Sequence, residues 1–160
     1  MDDKKLLFIV NPRAGKTKSL APLFDAAAIY SEAGYLVSVR KTTHRGEATE
    51  LAESLGPEFD VVVCHGGDGT LNECVNGAVG HANVAVTHFP CGTGNDFIKM
   101  FGEEKERFFD LAELVRGEVR PLDVMECCGR YAINICSVGI DARIGTEVHQ
   151  YHDSYVPVSY

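Results

Sequence analysis

A chain of 160 residues is long enough for one domain with a substantial core, and 45% hydrophobic with 24% charged residues is the balance of an ordinary globular protein. A formal net charge of −8 argues against a nucleic-acid-binding surface and against a polybasic membrane patch, so any phosphate recognition must be local and made by backbone. Met1 to Lys5 leads into only five apolar residues before Asn11-Pro12, too few for a signal-peptide core, and no run approaches transmembrane length; a cytoplasmic location is expected.

Leu6 to Val10 is an unbroken apolar run, the pattern of a central strand in a parallel sheet. It ends in Asn11-Pro12-Arg13-Ala14-Gly15-Lys16-Thr17. The last three residues look like the end of a P-loop, but that motif needs glycine where Val10 stands, and Pro12 has no N–H to offer a phosphate. Two readings stay open. Asn11 and Gly15 form one wall of a nucleotide pocket, or the segment is a plain strand-to-helix turn with solvated Arg13, Lys16 and Lys18. Ser19 to Ala33 has an approximate 3.6-residue period through Leu20, Leu23, Phe24, Ala27 and Ala28, and Gly34 suits a helix C-terminus. Tyr35 to Arg40 alternates as a second strand, Lys41 to Gly46 is a polar loop, and Glu47 to Leu55 is a second helix closed by Gly56-Pro57.

The densest signal follows the β-branched run Phe59 to Cys64, itself a buried strand by pattern. It reads His65-Gly66-Gly67-Asp68-Gly69-Thr70-Leu71-Asn72-Glu73. Thr70 and Glu73 have the spacing of a capping box, which predicts a helix over Leu71 to Val79. Three glycines in four positions let a ligand reach the backbone, and a glycine turn feeding free helix N–H groups suits phosphate. Asp68 would repel a phosphate unless a cation stands between them, so the stretch points to a nucleotide phosphate handled with Mg²⁺ near Asp68. The competing reading is a tight turn with no ligand, but such a turn needs one glycine rather than three.

Val84 to Phe89 is a fourth strand, and at its end lies Pro90-Cys91-Gly92-Thr93-Gly94-Asn95-Asp96-Phe97. It differs from a dinucleotide fingerprint because Phe97 occupies the third glycine position. The Thr93 hydroxyl could complete a phosphate or ribose site, with Asn95 and Asp96 fixing the loop through side-chain to backbone bonds. Glu104 to Arg116 reads as a helix. The β-α alternation then stops: Val119 to Cys127 and Tyr131 to Val138 read as short strands around the turn Cys128-Gly129-Arg130. Gly139 to Tyr160 shows no core pattern, and its apolar end from Tyr151 is a candidate for self-association. The six cysteines include no C-x-x-C pair and read as reduced, buried thiols; the six histidines lack ligand spacing, with His149 and His152 read as surface or loop residues.

Loops at Asn11–Gly15, Thr42-Thr43, Gly66–Thr70 and Gly92–Asp96 all follow strands, so in a doubly wound sheet they share one edge and can converge on one site. Asn11-Pro12-x-Ala14-Gly15, Gly66 to Glu73 with Val75-Asn76-Gly77, and Pro90-x-Gly92-Thr93-Gly94-Asn95-Asp96-Phe97 together resemble the catalytic domain of the diacylglycerol kinase family, which includes bacterial lipid kinases and sphingosine kinases. The resemblance runs from about Leu6 to Ala142, where Asn134-x-x-Ser137-x-Gly139-x-Asp141-Ala142 is similar to the family's entry into its second domain.

It implies a three-layer, doubly wound, mostly parallel α/β unit over residues 1–118 and the first strands of a β-rich domain over 119–160. The implied nucleotide-binding residues are Asn11, Pro12, Arg13, Ala14, Gly15, Thr43, Gly66, Gly67, Asp68, Gly69, Thr70, Leu71, Asn72, Glu73, Gly92, Thr93 and Asn95. Asp68 is the implied catalytic and metal residue, acting through Mg²⁺ or the γ-phosphate of ATP, with the hydroxyl of a lipid such as diacylglycerol as acceptor. Of Thr42 and Thr43, Thr43 is favoured because it stands three before Gly46. The implied protein touches membrane transiently, at the inner surface. The family's carboxylate base lies in the β-rich domain, and no residue here matches it, so the chain is expected to be an inactive fragment of a longer kinase. An NAD kinase, which shares the Gly-Gly-Asp-Gly core, and a catalytically silent nucleotide-binding module are the rival readings.

Overall fold

The structure is a computed structural model that describes residues 4–15 and 21–147. The expectations for Lys16, Lys18, the helix start at Ser19, His149, His152 and the apolar end from Tyr151 lie outside those residues.

The β-branched and apolar runs form a four-stranded parallel sheet in the order β2-β1-β3-β4. Its strands are β1 (Lys4–Val10), β2 (Tyr35–Lys41), β3 (Val61–Gly66) and β4 (Ala85–Pro90). β1 is central, with Leu6 to Val10 at most 1% exposed, as an unbroken apolar run requires when both sheet faces are covered. Leu7 and Ile9 face a core shared with α2 (Glu47–Leu55) and α3 (Asp68–Ala78). Leu6, Phe8 and Val10 face the opposite core, under α1 (Ala21–Glu32). The result is the expected three-layer, doubly wound α/β arrangement.

The chain moves outward from β1 to β2 and then back past β1 to β3, so the switch point lies between β1 and β3. Ligands bind α/β sheets in the crevice at such a point, beyond the strand C-termini. Helix α3 is seated tightly on α2 by Gly77: a Cβ there would stand 2.3 Å from the Thr49 carbonyl oxygen and 2.7 Å from the Ala52 Cβ. No larger residue allows that approach, which fixes where the N-terminus of α3 points.

Several expected boundaries are corrected. Helix α3 starts at Asp68 with Gly67 as its N-cap, and no side chain caps it; Thr70 lies inside the first turn, so the Thr70–Glu73 capping box does not form. The helix expected over Glu104 to Arg116 is two pieces. Gly102–Phe109 is a 3₁₀ stretch, and α5 (Leu111–Val115) follows the short α4 (Asp96–Lys99) as the next α-helix. The break is at Asp110, whose extended backbone and carboxylate cap α5 by accepting from Ala112 N at 2.9 Å and Glu113 N at 3.4 Å. The two terminal strands are shorter than expected, β5 (Met125–Cys127) and β6 (Arg130–Ala132), an antiparallel hairpin. Cys128 and Gly129 both take left-handed backbone (φ 52° and 73°), as a two-residue hairpin turn demands. Ile140–Glu147, read without a pattern, is helix α6. Only Cys64 and Cys74 are fully buried thiols; Cys91 is half-buried, and Cys127, Cys128 and Cys136 are exposed.

Candidate active site

The loops that follow β1, β3 and β4 meet at the switch point. Asn11, the first residue past β1, donates its backbone N–H to the His65 carbonyl at 2.9 Å and its side-chain Nδ2 to Thr70 Oγ1, also at 2.9 Å. Its Oδ1 accepts from Arg13 N at 2.9 Å, an Asx turn that folds the loop back over the sheet edge. Gly15 (φ 74°) carries this loop onto the β4 loop; a Cβ there would stand 2.2 Å from the Cys91 carbonyl oxygen.

The two glycine motifs pack backbone to backbone. A Cβ on Gly92 would stand 2.6 Å from the Gly67 Cα, and one on Gly67 would stand 3.1 Å from the Gly92 Cα. Gly66 is closed off by the Thr70 side chain, 2.6 Å from where its Cβ would be. Gly69 is different: nothing lies within 4 Å of its would-be Cβ, so the first turn of α3 is open there. The N–H groups of Asp68, Gly69 and Thr70 precede the first intrahelical bond, Leu71 N to Gly67 O at 3.0 Å. That is a donor array with the dipole of α3 behind it, suited to an anion.

Asp68 turns its carboxylate to the β4 loop. Oδ1 accepts from Phe97 N at 3.0 Å, with Asn134 Nδ2 at 3.5 Å, and Oδ2 lies toward Gly94, whose would-be Cβ is 3.2 Å away. Asn95 (φ 48°) shapes that loop: its Oδ1 accepts from Gly92 N at 3.0 Å and its Nδ2 donates to Gly92 O at 2.9 Å. Asn95 thus fixes the loop through side-chain to backbone bonds, as expected. Asp96 instead pairs with Lys99. Gly15, Cys91, Gly92, Thr93, Asn95 and Phe109 border an open cleft of about 460 Å³, and Thr93 is exposed in it.

The fourth loop separates the two candidate threonines. Thr42 is buried, with its N–H and hydroxyl on the Val10 carbonyl at 2.9 and 3.3 Å. Thr43 is exposed and gives both its N–H and its hydroxyl to Glu47 Oε2, which together hold the Glu47 carboxyl below its usual range. Glu73 ties this loop to α3 by accepting from Gly46 N at 3.0 Å.

Among the other expected contact residues, Leu71 and Asn72 have partners within the fold. Leu71 is 1% exposed and points into the core. Asn72 Oδ1 accepts from Ile133 N at 3.2 Å. Pro12 and Arg13 stand exposed on the first loop, with Ala14 partly covered.

The reading by sequence gave no role to Asn76 or His65, although both stand in its quoted motifs, nor to His88. Asn76 Oδ1 accepts from Tyr131 N at 2.9 Å and its Nδ2 donates to Tyr131 O at 2.8 Å, so it holds the β5–β6 hairpin on α3. Its position four residues after Asn72, on one helix face, was the available signal. His65 is 9% exposed, stacked on Phe89, with Cys91 Sγ at 3.5 Å from its Nδ1. Burial lowers its pKa first of all, and does the same to fully buried His88.

A family model described as "Diacylglycerol kinase catalytic domain" matches residues 5–127. The chain belongs to that family. The diacylglycerol kinase of Bacillus subtilis (strain 168) is 36% identical over 139 residues, covering 85% of this chain and 46% of that protein. The diacylglycerol kinase of Staphylococcus saprophyticus is 32% identical over 146 residues, 90% of this chain and 48% of its own length. The crystal structure of a diacylglycerol kinase from Bacillus anthracis str. Sterne superposes with a TM-score of 0.64 at 27% identity, over 82% of this chain and 46% of that one. The chain therefore spans about half the length of the diacylglycerol kinases it matches. The family match spans the glycine motifs of β3 and β4, and with them Asp68. No helix among the described residues is long and apolar enough to cross a membrane.

Proposed function

We propose that this chain is the ATP-binding part of a lipid kinase that moves the γ-phosphoryl group of ATP to the hydroxyl of diacylglycerol, giving phosphatidic acid. The observation that carries the reading is the backbone contact between Gly67 and Gly92, which sets Asp68 between an open helix N-terminus and the β4 loop. In this reading the N–H groups of Asp68, Gly69 and Thr70 take a phosphate. Asn11 braces that turn through Thr70, Thr93 offers an exposed hydroxyl in the cleft, and Thr43 is the exposed threonine of the loop after β2.

The donor set is compatible with Mg²⁺ in one form. Among the described residues no group of three or more His, Cys, Asp or Glu side chains could hold a metal ion alone. A hard cation that keeps its waters and takes phosphate oxygens needs one or two carboxylates, and Asp68 supplies one. When bound there, Mg²⁺ would neutralise charge on the phosphates. Asp68 itself keeps the approach to the β4 loop in place through Phe97 N. Positioning and charge stabilisation are what phosphoryl transfer chiefly needs. We assign none of the residues at the cleft as the base for the lipid hydroxyl.

The hairpin after residue 118 supports the division into an α/β unit, 1–118, and the beginning of a β-rich unit, 119–160. Exposed Ile135, Val138, Ile140 and Ile144 support an apolar contact, with membrane or with further protein, rather than an electrostatic one. The working location is the cytoplasm with peripheral membrane contact.

The test offers radiolabelled ATP with diacylglycerol or with NAD to the protein as its gene encodes it, beside an Asp68→Asn variant. Label in the lipid fraction is expected, reduced roughly 10²–10³-fold in the variant, the usual size of losing one preorganised charge-stabilising group. Label in NAD alone overturns the lipid reading. Equal rates in both proteins remove Asp68 from the chemistry. ATP binding without transfer to either acceptor would favour the silent module.

A further inference from the structure

His88 stands on β4 opposite Cys64 of β3, is 0% exposed, and is one of few polar side chains in the core. Its Nε2 lies 2.9 Å from the Gly66 carbonyl oxygen, while Nδ1 is buried with no hydrogen-bond partner among the described residues. A carbonyl only accepts, so His88 must carry its proton on Nε2 and leave Nδ1 as an unpaired acceptor. An apolar side chain would fill this place without orphaning a nitrogen, which makes a purely packing role the poorer explanation.

The same Gly66 oxygen also accepts from Cys91 N at 3.0 Å, so two donors from the β4 side fix one peptide plane. No cis peptide bond is present among the described residues, and across a trans peptide the N–H points opposite to the C=O. Holding the Gly66 carbonyl toward β4 therefore turns the Gly67 N–H the other way, toward the Asn11–Gly15 loop and the switch-point crevice.

We propose that His88 is a positioning residue: by clamping the Gly66 carbonyl it aims the Gly67 N–H at the phosphate of the bound nucleotide. The assignment rests on the nucleotide-binding reading above. It goes further by naming a buried side chain outside the glycine motifs that sets their donor geometry.

Two variants separate clamping from packing. His88→Gln can place an N–H near the Nε2 position; His88→Met fills similar space with no donor. With a fluorescent ATP analogue as the probe, His88→Met is expected to bind about five- to tenfold more weakly, the scale of one lost hydrogen bond beside a remaining one. His88→Gln is expected to stay within about twofold of the unsubstituted chain, since it keeps the donor. Equal weakening in both variants, or no weakening in a folded His88→Met, overturns the clamp. A ligand-free readout keeps this apart from the functional reading. ¹⁵N NMR of the unsubstituted chain is expected to show the Nε2–H tautomer for His88. The Gly67 amide signal should move in His88→Met and stay nearly in place in His88→Gln. An Nδ1–H tautomer overturns the proposal whether or not ATP binds and whether or not the variants fold. Failure of the unsubstituted chain to bind the analogue, with the tautomer and amide shifts as expected, counts against nucleotide binding and leaves the clamp itself standing.

Discussion

Gly92→Ala tests the contact on which the candidate site depends. The added Cβ would stand 2.6 Å from the Gly67 Cα and 3.0 Å from Asn95 Oδ1. Carbon atoms pack at about 3.5–4.0 Å, so the β4 loop must retreat from the β3 loop by roughly 1 Å. Gly92 has no positive φ, so the penalty is steric and not conformational. Its neighbour is backbone, which cannot rotate aside as a side-chain end would. Overpacking of this kind costs about 1–3 kcal/mol. For a chain of this size that corresponds to a fall in Tm of about 2–12 °C. The retreat also carries Asp68 away from Phe97 N, so affinity for an ATP analogue should fall as well. Gly67→Ala presses on the same contact from 3.1 Å and should be milder. Gly69→Ala meets open space in the first turn of α3 and should leave Tm unchanged or raise it, by up to about 1 kcal/mol of stability. Thermal unfolding of the three variants, followed by circular dichroism, reads the order directly. If Gly92→Ala melts at or above the unsubstituted chain, the two loops do not touch as described.

Asn76→Ala removes both bonds to Tyr131 and the bond to the Asn72 carbonyl, and should cost about 1–3 kcal/mol because the Tyr131 backbone groups lose their partner. Hydrogen exchange at the Tyr131 amide should accelerate while the amides of β1 stay protected. Burial lowers the pKa of both His65 and His88, so the folded chain holds fewer protons than the unfolded one as pH falls through the ordinary histidine range near ~6.5. Their stabilisation is present above that pH and is lost as pH drops toward the folded pKa values; the urea midpoint should be lower at pH 5.5 than at 7.5, and His88→Gln should flatten the difference. Burial pushes the Cys91 thiol up to about 11, so iodoacetamide at pH 7.5 should modify exposed Cys127, Cys128 and Cys136 well before Cys91, as mass spectrometry of the digested chain would show.

Much of the fold was legible because its signals are local. An apolar run such as Leu6 to Val10 can only be a strand covered on both faces, and its central place in the sheet follows. Gly34, with its left-handed backbone at the end of α1, was readable for the same reason. Where the reading failed, two local signals competed. Thr70–Glu73 and Asp110–Glu113 share the spacing of a capping box, yet only Asp110 serves as a cap. Thr70 is drawn into α3 because Gly67 already supplies the extended N-cap backbone, and Asn11 takes the Thr70 hydroxyl. Likewise Asn72, Glu73 and Leu71 belong to one motif in sequence, but on a helix successive residues point in different directions. One goes to the hairpin, one to the β2–α2 loop and one to the core.

Residue order alone determined that glycine-rich loops follow parallel strands, and therefore that they lie on one edge. The three motifs also sufficed to indicate the family. Tertiary structure alone decided which glycines border open space and which face each other. Gly66, Gly67, Gly92 and Gly69 look alike as letters; a Cβ at Gly67 or Gly92 would strike the other loop, one at Gly66 would strike Thr70 four residues on, and at Gly69 it would strike nothing. The physical reason is that a glycine records only that space is needed. What fills the space depends on which other segment the fold brings there, and no local pattern carries that information.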